Sequence, residues 1–90
     1  MGNEGLERFL LLCQKLTTLD ELKKLFELFF TFEEREMLGK RFFIIQALEQ
    51  DELTQREIAD KLKVSISQIT RGSNSLKLAD PTIREMVKKG

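Results

Sequence analysis

One short pattern, a threonine or serine followed three residues later by glutamate or glutamine, marks four helix starts and sets the limits on how this chain can fold. The pairs are Thr18 with Glu21, Thr31 with Glu34, Thr54 with Glu57 and Ser65 with Gln68. Each is a capping box, in which the hydroxyl accepts from the third backbone N–H of a helix while the longer side chain reaches back to the cap's own N–H. Four such starts within 90 residues, each followed by apolar residues three or four apart, predict short helices in quick succession. Asp80 before Pro81 adds another start, because proline is already set at a helical φ. Its helix is expected to carry Ile83, Met86 and Val87 on one side and Lys88 and Lys89 in its last turn. With a first stripe of Leu6, Phe9, Leu10, Cys13 and Leu16 the count reaches six helices. The pattern predicts an all-α fold, with no strand signal, no internal repeat and no linker.

The first helices are apolar on too many sides for one small chain. Leu11 and Leu12 widen the first stripe, and the second helix carries Leu22, Leu25, Phe26, Leu28, Phe29 and Phe30. A chain of this size buries only about two-thirds of its unfolded surface, so its core is thin unless a second copy completes it, and a homodimer is expected. The third helix should run from the Thr31 cap to about Gln50, with Glu33, Glu34 and Glu36 near its positive end. Leu38, Phe42, Ile45 and Leu48, widened by Phe43, Ile44 and Ala47, make it a central strut. Gly39 inside it costs about 1 kcal/mol against alanine, which predicts a close approach by another group. The organisation is one domain over residues 1–90, with a dimerisation core (1–52), a head (53–78) and a C-terminal helix (79–90).

The head reads as a helix-turn-helix. Ile58, Ala59 and Leu62 lie on one face of its first helix, Ile66, Ile69 and Leu76 continue the stripe in its second, and the turn falls at Leu62 to Val64. Lys63 stands where most such turns have glycine, so a positive φ there would carry a steric cost. Charge is divided unevenly: residues 1–53 hold 7 Lys/Arg and 11 Asp/Glu, a net of −4, whereas residues 54–90 hold 8 and 4, a net of +4. A basic head on an acidic body suits phosphate contact. The N-terminal part of the second helix reaches base edges in such motifs, which makes Ser65, Ile66, Ser67, Gln68 and Thr70 the candidate readers. Gln68 has the amide for adenine and Ile66 the surface for a thymine methyl. Gln55 and Arg56 are expected near phosphates, and Asn74 and Lys77 to position the backbone.

Other chemistries are poorly supplied. Histidine, tyrosine and tryptophan are absent and Cys13 is the single cysteine, so an enzyme, a metal centre or a disulfide framework is not expected. Cys13, among leucines, reads as a buried core residue. No apolar run reaches the ~20 residues of a membrane span and no basic region precedes an apolar one, which points to a cytoplasmic protein.

The second helix of the head, QITRGSNSLK, places a glycine and short polar residues where helix propensity favours longer ones. Something is expected to lie against it. ITRGSNSLK, together with LTQREIA, TxxEREMLGKR and the order of six helices, resembles the bacterial tryptophan repressor family over nearly the whole chain. That family belongs to the helix-turn-helix proteins whose docking mode is described above. The resemblance implies an entwined homodimer, in which the first three helices of each subunit interlock, and two movable reading heads. It also implies L-tryptophan as co-repressor, bound between the body and the second helix of the head. Arg41 and Arg71 would hold the indole between their guanidinium planes and neutralise the carboxylate. Gly72 would leave room for the ligand, Thr31 would add a hydroxyl near the carboxylate, and Ser75 would face the ammonium group. The carbonyls of Leu28 and Phe30, free at a helix end, would accept from that group across the dimer. The expected function is repression of tryptophan biosynthesis or uptake genes, with operator DNA, L-tryptophan and a second copy as partners and no further cofactor. The alternative is a regulator of the same build that answers another metabolite or none. A helical protein-binding adaptor is the reading from a different class.

Overall fold

The computed structural model describes residues 2–90. Its six helices are α1 (Glu4–Lys15), α2 (Leu19–Phe29), α3 (Phe32–Gln50), α4 (Gln55–Leu62), α5 (Ile66–Lys77) and α6 (Pro81–Lys89), with no strand among the described residues. All four capping boxes form. In α2 and α4 both halves close, on Thr18 with Glu21 and on Thr54 with Glu57. At α3 the Thr31 N–H donates to Glu34 Oε1 at 2.8 Å and the Glu34 N–H donates to Thr31 Oγ1 at 3.1 Å. The backbone N–H of Thr17 chiefly, then that of Thr18, holds the Glu21 carboxyl below the ordinary range, and the Thr54 N–H does the same for Glu57. Asn3, not singled out from the sequence, caps α1 by accepting from the Leu6 N–H at 3.0 Å. Asp80 accepts from the N–H groups of Thr82 and Ile83, as its place before Pro81 predicts.

The chain forms two compact units, one ending at Arg35 and one spanning Glu36–Gly90. In the first, the Phe9 ring meets Phe26, Phe29 and Phe30 edge to face at 5.7, 5.0 and 5.7 Å. Such pairs add about 0.5–1.5 kcal/mol each to the burial of the rings. Leu25 is the buried side chain here, while Leu6, Leu10, Leu11, Leu19, Leu28 and Phe29 lie open to solvent. Cys13 is half-buried rather than a core residue.

The second unit has its core on three helices. Ile44 of α3, Ile58 and Ala59 of α4 and Ile69 of α5 are buried together, with Ala47, Leu48, Leu53, Leu62 and Val64 packed around them. Helix α6 is tied to α3 by polar contacts: Arg84 reaches Glu49 Oε2 through Nε (2.9 Å) and Nη2 (2.8 Å), and the Gln46 amide donates to the Val87 carbonyl at 3.2 Å. Ile83 and Met86 of α6 are exposed and Val87 is half-buried, so most of the stripe that placed this helix is left uncovered within the chain. The same holds for Met37, Leu38, Phe42 and Phe43 of α3. Gly39 has nothing within 4 Å of the place where a Cβ would stand, so among the described residues the approach expected there is not made.

Helix α4 ends as the capping rules require, but with an unusual residue. Lys63 is left-handed, at φ 58 and ψ 47, and the Val64 N–H returns to the Ala59 carbonyl at 3.1 Å. Glycine is favoured at such a position because a Cβ there crowds the following carbonyl, a cost of about 1–2 kcal/mol. Lys63→Gly is therefore expected to raise stability by about 1 kcal/mol, part of the gain being offset by the freer unfolded glycine. Urea denaturation followed by circular dichroism measures this, and a variant no more stable than the parent would contradict it. Asp51 is also left-handed (φ 55), a conformation that aspartate tolerates better than most residues. Among the described residues, no helix is long and apolar enough to cross a membrane.

Candidate functional site

Helices α4 and α5 with the three residues between them form the two-helix unit expected from the sequence. The caps set its geometry: left-handed Lys63 stops α4, and Ser65 begins α5. Ser65 donates its N–H to Gln68 Oε1 at 3.0 Å, and the Gln68 N–H donates to Ser65 Oγ at 3.3 Å. Behind this turn, Ile58 and Ile69 are completely buried, which fixes the rotation of α5 and so decides which of its residues face outward. Ser65, Ser67, Thr70, Asn74 and Lys77 lie outside, as do Gln55 and Arg56 on α4. Ile66 is 49% exposed, so it leaves the apolar stripe assigned to it and stands on the outer face. Gln68 is half-buried, with Oε1 engaged by the cap. The Thr70 hydroxyl donates to the Ile66 carbonyl at 3.1 Å, and Lys77 Nζ reaches Asn74 Oδ1 at 3.4 Å.

Among the described residues, Arg56, Lys61, Lys63 and Arg71 form no ion pair, in contrast to Arg8, Lys24, Arg35, Arg84 and Lys89. Lys61 and Lys63 were not picked out by the motif. Their signal was the positive balance of the C-terminal half, which does not say which cations are unpaired.

The candidate ligand residues fall in both units. Arg41, Arg71, Gly72 and Ser75 belong to the unit spanning Glu36–Gly90, whereas Leu28, Phe30 and Thr31 belong to the unit ending at Arg35. Gly72 is buried where α5 passes α3: a Cβ there would stand 3.0 Å from Ile44 Cγ2, 3.5 Å from Leu48 Cδ1 and 3.8 Å from Ile45 Cγ1. The group that lies against the glycine of α5 within this chain is thus the α3 core face. Arg41 sits one turn before Ile44 and Ile45 on α3, and Arg71 and Ser75 flank Gly72 on α5. Both arginines are exposed, and neither side chain has a hydrogen-bond or ion-pair partner among the described residues. Two unpaired guanidinium groups beside one helix contact suit an anionic or aromatic ligand, since arginine pairs with carboxylates and stacks on rings. In the other unit, Leu28 is exposed and Phe30 is extended at the end of α2 (φ −121, ψ 143), so the last carbonyls of α2 lack helical partners. The Thr31 hydroxyl is occupied as the acceptor of the α3 cap.

Two hollows of about 420 Å³ each lie in the larger unit. One is lined by Phe43, Ala47, Leu53, Ile58, Lys61 and Leu62 among others, and the second by Glu49, Asp51, Ser73, Lys77 and Arg84 with their neighbours. Neither is lined by Arg41 or Arg71.

Comparison with known proteins covers the same stretch of chain as these features. Residues 4–90 match the family described as Trp repressor protein. A Trp operon repressor homolog of Chlamydia caviae is 55% identical over 87 residues, which is 97% of this chain and 86% of that protein. One from Chlamydia trachomatis serovar L2 is 52% identical over 85 residues, 94% of this chain and 90% of its own length. A more distant homolog from Mannheimia succiniciproducens is 45% identical over 65 residues, 72% of this chain and 64% of the relative. Because the match runs through all six helices, from the first turn of α1 to the last residue, the chain belongs to the Trp repressor family.

Proposed function

We propose that this protein is a DNA-binding transcriptional repressor, activated by L-tryptophan and working as a homodimer, that controls genes for tryptophan biosynthesis or uptake. The observation that carries the reading is the pair of unpaired arginines, Arg41 and Arg71, on the two helices that meet at Gly72, in a chain matched to the family over residues 4–90. In this reading Arg41 and Arg71 hold the indole and its carboxylate, Ser75 faces the ammonium group, and Leu28, Phe30 and Thr31 come from the facing subunit. The region 53–78 acts as the head. Ser65, Ile66, Ser67 and Thr70 approach the bases, and Gln55, Arg56, Asn74 and Lys77 the phosphates. Gln68 approaches with only its amide N–H groups free. The exposed apolar side chains of α1, α2, α3 and α6 support a second copy, because leaving that much carbon in water is costly at about 25 cal/mol for each Å².

The mechanism is a matter of linkage. A ligand bound between α3 and α5 favours whichever head position lets both arginines close on it. If that position also fits successive major grooves, operator DNA must tighten tryptophan binding by the factor by which tryptophan tightens DNA binding. Arg41→Ala and Arg71→Ala are expected to abolish the dependence of DNA binding on tryptophan while leaving the fold intact, since exposed substitutions shift stability by about 0.5 kcal/mol or less. Calorimetric titration of L-tryptophan into each variant, with indole and anthranilate as controls, makes the test. Unchanged tryptophan affinity in both variants would remove the assignment of the ligand.

A further inference from the structure

The four capping boxes share one geometry and differ in the group at their third position. Three carry a carboxylate: Glu21 with Thr18, Glu34 with Thr31 and Glu57 with Thr54. The fourth, at the start of α5, carries a neutral amide. Gln68 Oε1 accepts from the Ser65 N–H at 3.0 Å and from its hydroxyl at 3.3 Å, and the Ser65 and Ser67 hydroxyls share a hydrogen at 3.0 Å. The first turn of α5 contains no acid, whereas those of α1, α2, α3 and α4 all do; that of α6 also lacks one, but its cap is the Asp80 carboxylate. A carboxylate is the stronger cap, because its hydrogen bonds are charge-assisted and the positive end of the helix dipole favours it. Among the four capping boxes the amide forgoes that advantage at α5 alone, in the two-helix unit where Arg56, Lys61, Lys63 and Arg71 form no ion pair among the described residues. A negative charge is unwelcome where a polyanion approaches.

The cap also limits what Gln68 can read. Selecting adenine takes both halves of the amide, the oxygen accepting from N6 and the nitrogen donating to N7. With both lone pairs of Oε1 engaged by the Ser65 N–H and hydroxyl, that pairing would displace a hydrogen bond of the cap. We propose that Gln68 is a positioning residue of the DNA-reading helix: an uncharged cap that holds the first turn of α5 and keeps that end free of negative charge for the phosphate backbone. This rests on the DNA-binding reading above.

The test uses the full chain with L-tryptophan and a duplex library with a randomised centre. The unsubstituted protein is compared with Gln68→Glu, Gln68→Ala and Ser65→Ala. Three quantities are read: base preference, affinity for the recovered duplexes across salt, and amide exchange in the first turn of α5. Gln68→Glu is expected to keep exchange protection and base preference but to bind every duplex about fivefold to tenfold more weakly at low salt, with the deficit shrinking as salt screens the added charge. Gln68→Ala and Ser65→Ala are both expected to speed first-turn exchange about fivefold and to weaken binding, and in Gln68→Ala the loss falls on all duplexes alike, with base preference unchanged. Relaxed preference at one base pair in Gln68→Ala but not in Ser65→Ala would make Gln68 a reader and overturn the proposal. So would a Gln68→Glu protein that binds as tightly as its parent. If the unsubstituted protein itself recovers and binds no duplex, the DNA-binding reading has failed, and the positioning role falls with it.

Discussion

Ile69→Ala is expected to destabilise the unit spanning Glu36–Gly90 by about 2–5 kcal/mol. Ile69 is completely buried against Ile44, Ile58 and Ala59, and among the described residues only Ile58 shares that degree of burial. Truncation removes the transfer energy of three carbons and leaves a cavity walled by three separate helices. Ile69→Val, which removes one carbon, is the control and should cost only about 0.5–1.5 kcal/mol. Because a domain is stable by about 5–15 kcal/mol, the alanine variant consumes a large share of what exists. Urea denaturation gives the comparison, and DNA binding should fall with the folded fraction. A loss below about 1 kcal/mol for Ile69→Ala would mean that the core described here is not what holds α5 in place.

The second large effect is expected at Gly72. Two terms of opposite sign meet there. Replacing a helical glycine gains about 1 kcal/mol in propensity for alanine, but a Cβ would stand 3.0 Å from Ile44 Cγ2. Ile44 is itself buried and has nowhere to retreat. Overpacking of this kind costs about 1–3 kcal/mol, so Gly72→Ala should come out within about 1 kcal/mol of the parent. Gly72→Val brings two more methyl groups to the same contact and loses most of the propensity gain. It should be destabilised by about 3 kcal/mol or push α5 away from α3, which would carry Arg71 with it. Thermal melting reports the first outcome, and tryptophan affinity the second. A valine variant that melts with the parent and binds tryptophan equally well would show that the close approach at Gly72 is unimportant.

Both effects sit at a helix contact that was only partly legible in the sequence. QITRGSNSLK showed that a glycine interrupts a helix, and the same was true of Gly39. The first proves to be a close approach to Ile44 within the chain, whereas the second has open space beside it. Nothing local distinguishes the two, since each is a glycine within a helical stripe. The apolar periodicity has the same limit. It placed Ile66, Ile69 and Leu76 on one stripe, yet Ile69 is buried and Ile66 is about half exposed, because rotation of α5 is set by Ile44 and Ile58 from other helices. The candidate reader Gln68 was correctly placed in the first turn of α5, but its role as acceptor for the Ser65 N–H changes what it has left to offer DNA.

The sequence by itself determined where five of the six helices begin. Capping boxes act over four residues, so the Thr18, Thr31, Thr54 and Ser65 starts and the Asp80 to Pro81 start needed no tertiary partner. It also flagged Lys63 as the costly position of the turn, and its φ of 58 follows from how α4 is stopped. Only the tertiary structure decided which apolar residues became core. It buried Ile44, Ile58, Ala59 and Ile69, left Leu28, Met37, Phe43 and Met86 open to solvent, and brought α5 against α3 at Gly72. The physical reason is range: a cap is satisfied by its own backbone, whereas burial depends on atoms supplied by distant parts of the chain.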